Sequence, residues 1–291
     1  MPISKKWFCE GAVPGKRLGK VKHCFLVDKL VFKGKTPYQN VLIFDNAVYG
    51  RVVVLDGIVQ FSEKDEFVYH ETISHPILFS HPNPRKVLIV GGGDGGVLRE
   101  VLKHPVKEVH LVDIDKEAAG IFKKYAPFVS KNSFKDKRAK VFFEDGRKFI
   151  KNFRDFFDVV IIDSNDPAGP SLPLFSGNFY KDVARALKKE GMMVTLIGSF
   201  LDFETMIKTT VGKLKNVFPK VQLYRTSIPC YHCGDFCFIG ASKKIDLARV
   251  DLGKIEKRFK KIKGKDQFKY YSPKIHSAVI SLPKIWQINS R

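Results

Sequence analysis

The residues best suited to chemistry in this chain are aspartates, and the first of them lies inside a glycine loop, Gly91-Gly92-Gly93-Asp94-Gly95-Gly96. The loop follows the apolar run Val87-Leu88-Ile89-Val90 and precedes Val97-Leu98-Arg99-Glu100. That order reads as a strand, a tight turn and a helix start. The spacing of Gly91, Gly93 and Gly96 fits the dinucleotide fingerprint, in which loop amides and a helix N-terminus receive a pyrophosphate. A carboxylate in the same turn repels a phosphate and attracts a cation. The loop therefore reads as a nucleoside site for a ligand with positive charge nearby.

Four more acids fall where strands should end. Asp113 closes Leu111-Val112-Asp113, Asp145 follows Phe143-Glu144, and Asp163 and Asp166 punctuate Ile162-Asp163-Ser164-Asn165-Asp166-Pro167. One aspartate at a strand end is commonly a turn former or helix cap. Five on one rim make a charged site, because ligands of parallel sheets bind beyond the carboxyl ends of the strands. Asp113 is placed to take ribose hydroxyls, and Asp145 with the Gly146 amide to take an adenine edge. Asp94, Asp163 and Asp166 remain for something cationic. Crowded carboxylates oppose each other's ionisation, so one of them could gain proton affinity and serve as a general base.

These acids need a scaffold. Residues 1–62 read as a small antiparallel β domain: strand runs at 23–32, 40–44, 49–55 and 58–61, with turns at Lys33-Gly34-Lys35, Asp45-Asn46 and Asp56-Gly57. Residues 63–291 read as the catalytic domain. There strands at 86–90, 108–112, 140–143, 158–163 and 192–197 alternate with helices at 97–103, 117–125, 147–153, 178–189 and 203–217. Alternation of this kind gives a parallel sheet with helices on both faces. Two closing strands at 221–228 and 236–241 have no helix between them and should form a hairpin. An α/β sheet with a terminal antiparallel hairpin looks like the methyltransferase variant of the Rossmann fold.

Composition narrows the function. The chain has 291 residues, 51 Lys and Arg against 30 Asp and Glu, and a net charge of +21. The lysines are dispersed, and the densest stretch, at 254–265, carries Ile255, Phe259 and Ile262 at helical spacing. This is a lysine-coated surface rather than a nucleic-acid reader. No apolar run approaches the ~20 residues of a membrane span, and the N-terminal lysines lack an apolar core behind them, so we expect a soluble cytoplasmic protein with neither nucleic acid nor membrane as partner. Of five cysteines, Cys230, Cys233 and Cys237 cluster around His232. They could supply zinc ligands or a disulfide. No second CxxC accompanies them, so they read as thiols beside a pocket, with no metal.

Several segments together resemble the polyamine aminopropyltransferases, the spermidine synthase family. They are Tyr38-Gln39, Tyr49-Gly50, Leu55-Asp56-Gly57-Ile58-Val59-Gln60, Tyr69-His70-Glu71, the glycine loop, and Asp163-Ser-Asn-Asp-Pro-Ala-Gly-Pro170. Trp7-Phe-Cys-Glu10 and Tyr270-Tyr-Ser-Pro-Lys-Ile-His276 are similar to the family's two ends. The resemblance implies transfer of an aminopropyl group from decarboxylated S-adenosylmethionine, a co-substrate rather than a resident cofactor, to an amine, with release of methylthioadenosine. It implies that Gln39, Asp113, Asp145, Gly146 and Pro170 hold the nucleoside and that Asp94 takes the amino end of the aminopropyl group. Tyr69, His70, Asp166 and Tyr231 would line the amine path, with Asp163 as base. Members of the family are commonly dimers or tetramers.

Two segments depart from the family pattern. A Gln-Gly/Ala-Glu-Ser type run becomes Leu196-Ile-Gly-Ser-Phe-Leu201, and a Tyr-Pro-Ser/Thr-Gly type run becomes Tyr231-His-Cys-Gly-Asp235. Both should change the length or charge of the amine pocket. Putrescine is the default acceptor, giving spermidine; cadaverine, agmatine and spermidine are the alternatives. A methyltransferase would share the fold but would not need Asp94.

Overall fold

The computed structural model describes residues 6–10, 22–165, 169–262 and 267–287. Asp166 therefore lies outside the described residues. The chain opens with strands β1 (Lys6–Cys9) and β2 (Cys24–Val27), an antiparallel pair joined by a Cys9–Cys24 disulfide. A four-stranded antiparallel meander follows: β3 (Lys29–Lys35), β4 (Asn40–Asn46), β5 (Gly50–Leu55) and β6 (Ile58–Ser62). The turn expected at Lys33-Gly34-Lys35 is absent, because β3 runs straight through it. The Phe32 ring lies across Gly34, within 2.7 Å of where a Cβ would stand, so this glycine admits a ring instead of reversing the chain. The reversal comes at Thr36–Gln39, where the Thr36 amide donates to the Gln39 carbonyl at 2.9 Å.

Helix α1 (Glu66–Ser80) is buried along nearly its whole length and carries Tyr69 and His70 into the interior. Pro76 lies inside it and cannot donate to the Thr72 carbonyl; the Tyr224 hydroxyl donates there instead, at 3.4 Å. The alternating part then runs β7 (Lys86–Gly91), α2 (Gly96–Leu102), β8 (Glu108–Asp113), α3 (Lys116–Tyr125), α4 (Pro127–Ser130), β9 (Ala139–Phe143), α5 (Gly146–Phe149), β10 (Phe157–Asp163), α6 (Gly177–Ala186), β11 (Leu187–Gly198), α7 (Phe200–Lys215), β12 (Lys220–Ser227), β13 (Asp235–Ser242), α8 (Leu252–Lys261) and α9 (Pro273–Ile280). The large sheet has the order β12-β13-β11-β10-β7-β8-β9, with β13 antiparallel to both its neighbours and the other pairs parallel. The expected α/β sheet with its terminal hairpin and small antiparallel β domain is thus present. Its core is the apolar runs Val87–Val90 and Val159–Ile162, almost wholly buried as strands covered on both faces must be.

Three helices differ from expectation. The one expected at 178–189 ends at Ala186, because Leu187 turns extended and pairs with Phe157 in the sheet. The one expected at 147–153 is the short α5 followed by a 3₁₀ turn at Ile150–Asn152. The one expected at 203–217 starts at Phe200 and kinks at Phe203, whose ring packs on Gly198. Among the described residues no helix is long and apolar enough to cross a membrane.

Candidate active site

In the large sheet, β7 and β10 are the neighbours from which the strand order runs outward in both directions. This is the topological switch point, where ligands of such sheets bind. Gly91 ends β7 and is the register partner of Asp163, which ends β10. Gly91 has φ +86°, and a Cβ there would stand 2.0 Å from the Asp163 carbonyl oxygen. Only glycine fits. The Gly92 amide donates to that same carbonyl at 2.9 Å. The loop and the aspartate are therefore one hydrogen-bonded unit.

The cavity above this point is lined by Gln39, Tyr69, His70, Asp94, Asp113, Asp145, Gly146, Asp163 and Tyr231, all singled out by the sequence. Pro170 belongs to a 3₁₀ segment at Gly169–Phe175. The Asp163 carboxylate is buried, with Oδ1 taking the Tyr69 hydroxyl at 2.6 Å and Oδ2 finding no donor among the described residues. Burial and the charge of Asp94 push its pKa up to about 7, against the opposing pull of His70 and the Tyr69 hydrogen bond. Tyr69 is itself raised well above the usual phenol range, by burial and by Asp163, so it stays protonated as a donor.

Asp94 lies just before α2, with Oδ1 accepting the amide of that helix's first residue, Gly96, at 2.6 Å. His70 stands behind it, its Nδ1 2.6 Å from Glu66 and its Nε2 3.6 Å from Asp94. Burial alone would lower the histidine, but Asp94 and Glu66 raise it to about 10, so it is a buried cation. That cation outweighs the desolvation of Asp94 and holds the aspartate below its ordinary value. A Cβ on Gly96 would stand 2.4 Å from His70 Nε2, so the last glycine of the loop makes room for the imidazole. His70 is almost wholly buried, which makes it a support for Asp94 more than a wall of the cavity.

On the β8–β9 side the acids are already engaged. Asp113 accepts the Gly93 amide at 2.9 Å and the Asp115 amide at 2.8 Å, while burial raises it to about 6. Asp145 caps α5 and pairs with Arg147 at 2.6 Å, which draws its pKa down. Asp115 was missed by sequence reasoning. It takes the Thr36 hydroxyl at 2.6 Å and Gln39 Nε2 at 2.9 Å, while Asn165 donates to Gln39 Oε1 at 3.1 Å. The Gln39 side chain is thereby pinned over the rim from the β8 and β10 ends of the large sheet. The repeated acid in Asp113-Ile114-Asp115 was the available signal.

On the β11–β13 side, Tyr231 donates to the Gln60 carbonyl at 2.6 Å and packs near Tyr69. Here too two acids escaped the sequence reading as site residues. Glu10 accepts the Val59 amide through Oε1, and Asp202 takes His232 Nε2 at 2.7 Å and Cys233 Sγ at 3.2 Å. Glu10 Oε2 and Asp202 Oδ1 are buried and lack a hydrogen-bond donor among the described residues. Cys230 and Cys237 are buried thiols in other surroundings, facing Asp65 and the Phe200 backbone.

Comparison with known proteins shows the family. Residues 66–252 match the spermine/spermidine synthase domain, and residues 7–63 match the spermidine synthase tetramerisation domain. A polyamine aminopropyltransferase of Caldicellulosiruptor bescii is 42% identical over 97% of this chain and 96% of its own length. The spermidine synthase of Schizosaccharomyces pombe is 42% identical over 88% of this chain and 85% of its own. A crystal structure of spermidine synthase in complex with the transition state analogue AdoDATO superposes with a TM-score of 0.90 at 34% identity, covering 98% of this chain and 94% of that one. The chain belongs to the spermine/spermidine synthase family, the polyamine aminopropyltransferases.

Proposed function

We propose that the enzyme transfers the aminopropyl group of decarboxylated S-adenosylmethionine to putrescine, giving spermidine, with Asp163 as general base. The observation that carries this reading is the buried Asp163 carboxylate, with one oxygen fixed by Tyr69 and the other without a donor among the described residues, beside Asp94 at the glycine loop. In the proposal Gln39, Asp113, Asp145, Gly146 and Pro170 hold the nucleoside, and Asp94 takes the ammonium of the aminopropyl arm. Tyr69, Asp166 and Tyr231 line the amine path, with His70 supporting Asp94.

The chemistry follows from charge. The sulfonium makes its neighbouring methylene carbon electrophilic, while the acceptor amine arrives protonated and cannot attack. Asp163 accepts that proton. The freed nitrogen lone pair forms the new C–N bond as the C–S bond breaks and its electrons return to sulfur, leaving neutral methylthioadenosine. Proton removal of this kind contributes about 10²–10⁴-fold, and in-line positioning adds to it. An ammonium seated on Asp94 weakens the repulsion that raises Asp163. Binding of the first substrate thus prepares the base for the second.

In the same reading the enzyme is cytoplasmic and works as a homodimer or homotetramer, the tetramerisation-domain match of residues 7–63 favouring the latter. Its two functional parts are 1–62 and 63–291. Asp163→Asn should remove turnover by about 10²-fold or more while calorimetry finds methylthioadenosine binding nearly unchanged; a near-normal rate would remove Asp163 from the mechanism. A panel of putrescine, cadaverine, agmatine and spermidine tests the acceptor. Putrescine should give the highest kcat/KM, and preference for a longer amine would reassign the substrate.

A further inference from the structure

We propose that Asp202, His232 and Cys233 form a site for a thiophilic divalent cation of the zinc class in the wall of the cavity. Asp202 lies in the first turn of α7, just before the kink at Phe203. His232 and Cys233 lie in the turn between β12 and β13. One carboxylate oxygen, one imidazole nitrogen and one sulfur lie within 4.8 Å of one another. Asp202 Oδ2 is 2.7 Å from His232 Nε2 and 3.2 Å from Cys233 Sγ. Zinc holds such donors at about 2.0–2.3 Å, so small side-chain rotations suffice.

Two further observations point to a ligand. Asp202 Oδ1 is buried without a hydrogen-bond donor among the described residues. So is Glu10 Oε2, which lies 3.8 Å from His232 Nδ1 and 3.3 Å from His23 Nδ1. A metal on Nε2 leaves the imidazole proton on Nδ1, facing Glu10. Metal-bound histidines are habitually backed by a carboxylate in this way. An ammonium could use the two acids but has no use for sulfur, whereas a thiolate, imidazole and carboxylate together are a zinc-class donor set. Binding releases the Cys233 proton to solvent and changes no oxidation state. Three protein ligands leave a fourth position, which opens on the cavity that these residues line.

The whole enzyme, stripped of metal, is titrated with Co²⁺ and then Zn²⁺. The expected result is one Co²⁺ per chain with a thiolate-to-cobalt charge-transfer band in the near ultraviolet, lost when Zn²⁺ displaces it. Cys233→Ser abolishes the band, Asp202→Asn weakens zinc binding, and Glu10→Gln weakens it by about 10–100-fold. Cys230→Ser, a change outside the site, keeps the band. Absence of the band in the unmodified enzyme, or its survival in Cys233→Ser, overturns the proposal. An Asp202→Asn variant with unchanged zinc affinity does the same. None of these readouts requires turnover, so they stand apart from the test of Asp163.

Discussion

The two sides of the cavity treat their acids in opposite ways. On the β8–β9 side, Asp113, Asp115 and Asp145 are engaged by backbone amides, Thr36, Gln39 and Arg147. Around β10, α7 and the β12–β13 turn, Asp163, Asp202 and Glu10 each keep one buried oxygen without a donor among the described residues. An unsatisfied buried acceptor costs about 1–3 kcal/mol, recovered when a ligand brings its own donors. An ammonium brings three N–H groups and a charge; a ribose or a base edge brings neutral groups. The engaged acids suit a neutral partner held rigidly. The unsatisfied ones suit a cationic partner and are finished only by its arrival.

The most disruptive way to break this contrast is Gly91→Ala, because that glycine joins both sides. A methyl 2.0 Å from the Asp163 carbonyl at positive φ should cost about 3 kcal/mol of stability and remove nucleoside binding and turnover together. Thermal unfolding and calorimetry would check this; normal nucleoside affinity would show that loop and base are separable. The pH dependence is the next largest effect. In the proposed mechanism Asp163 accepts the proton as a carboxylate, and its pKa is raised to about 7, so kcat/KM should fall about tenfold per pH unit below that value and level off above it. A profile flat down to the usual carboxylate range would mean that burial and Asp94 do not tune the base. A smaller effect sharpens the division: Asp113→Asn should raise the KM of the nucleoside co-substrate by about tenfold and leave that of the amine unchanged, while Asp166→Asn, in the proposed amine path, does the reverse. Steady-state kinetics with both substrates varied would decide, and parallel changes in the two constants would erase the distinction.

The legibility of the chain follows the same division. Asp94, Asp113, Asp145 and Asp163 could be read from sequence because each ends or closely follows a strand, and parallel sheets gather strand ends at one rim. Asp115 lies only two residues past a strand end, but its partners Thr36 and Gln39 are almost eighty residues away, across a turn misplaced onto Lys33–Lys35. Asp202 and Glu10 reach the cavity through tertiary docking of α7 and β1, which no local pattern encodes. His70 was recognised, but its role was not: a cationic histidine wedged between two carboxylates reads in sequence like any other helix-face histidine. The Cys9–Cys24 disulfide was equally hidden, because its two cysteines meet only through the pairing of β1 with β2.

The fusion of Gly91 and Gly92 to the Asp163 backbone constrains how such an enzyme can be redesigned or diversify. Any shift of Asp163, the proposed proton acceptor, drags the glycine loop with it, so the two must travel as a block. The side chains of α7 and the β12–β13 turn line the same cavity without belonging to that block, and exchanging them leaves it in place.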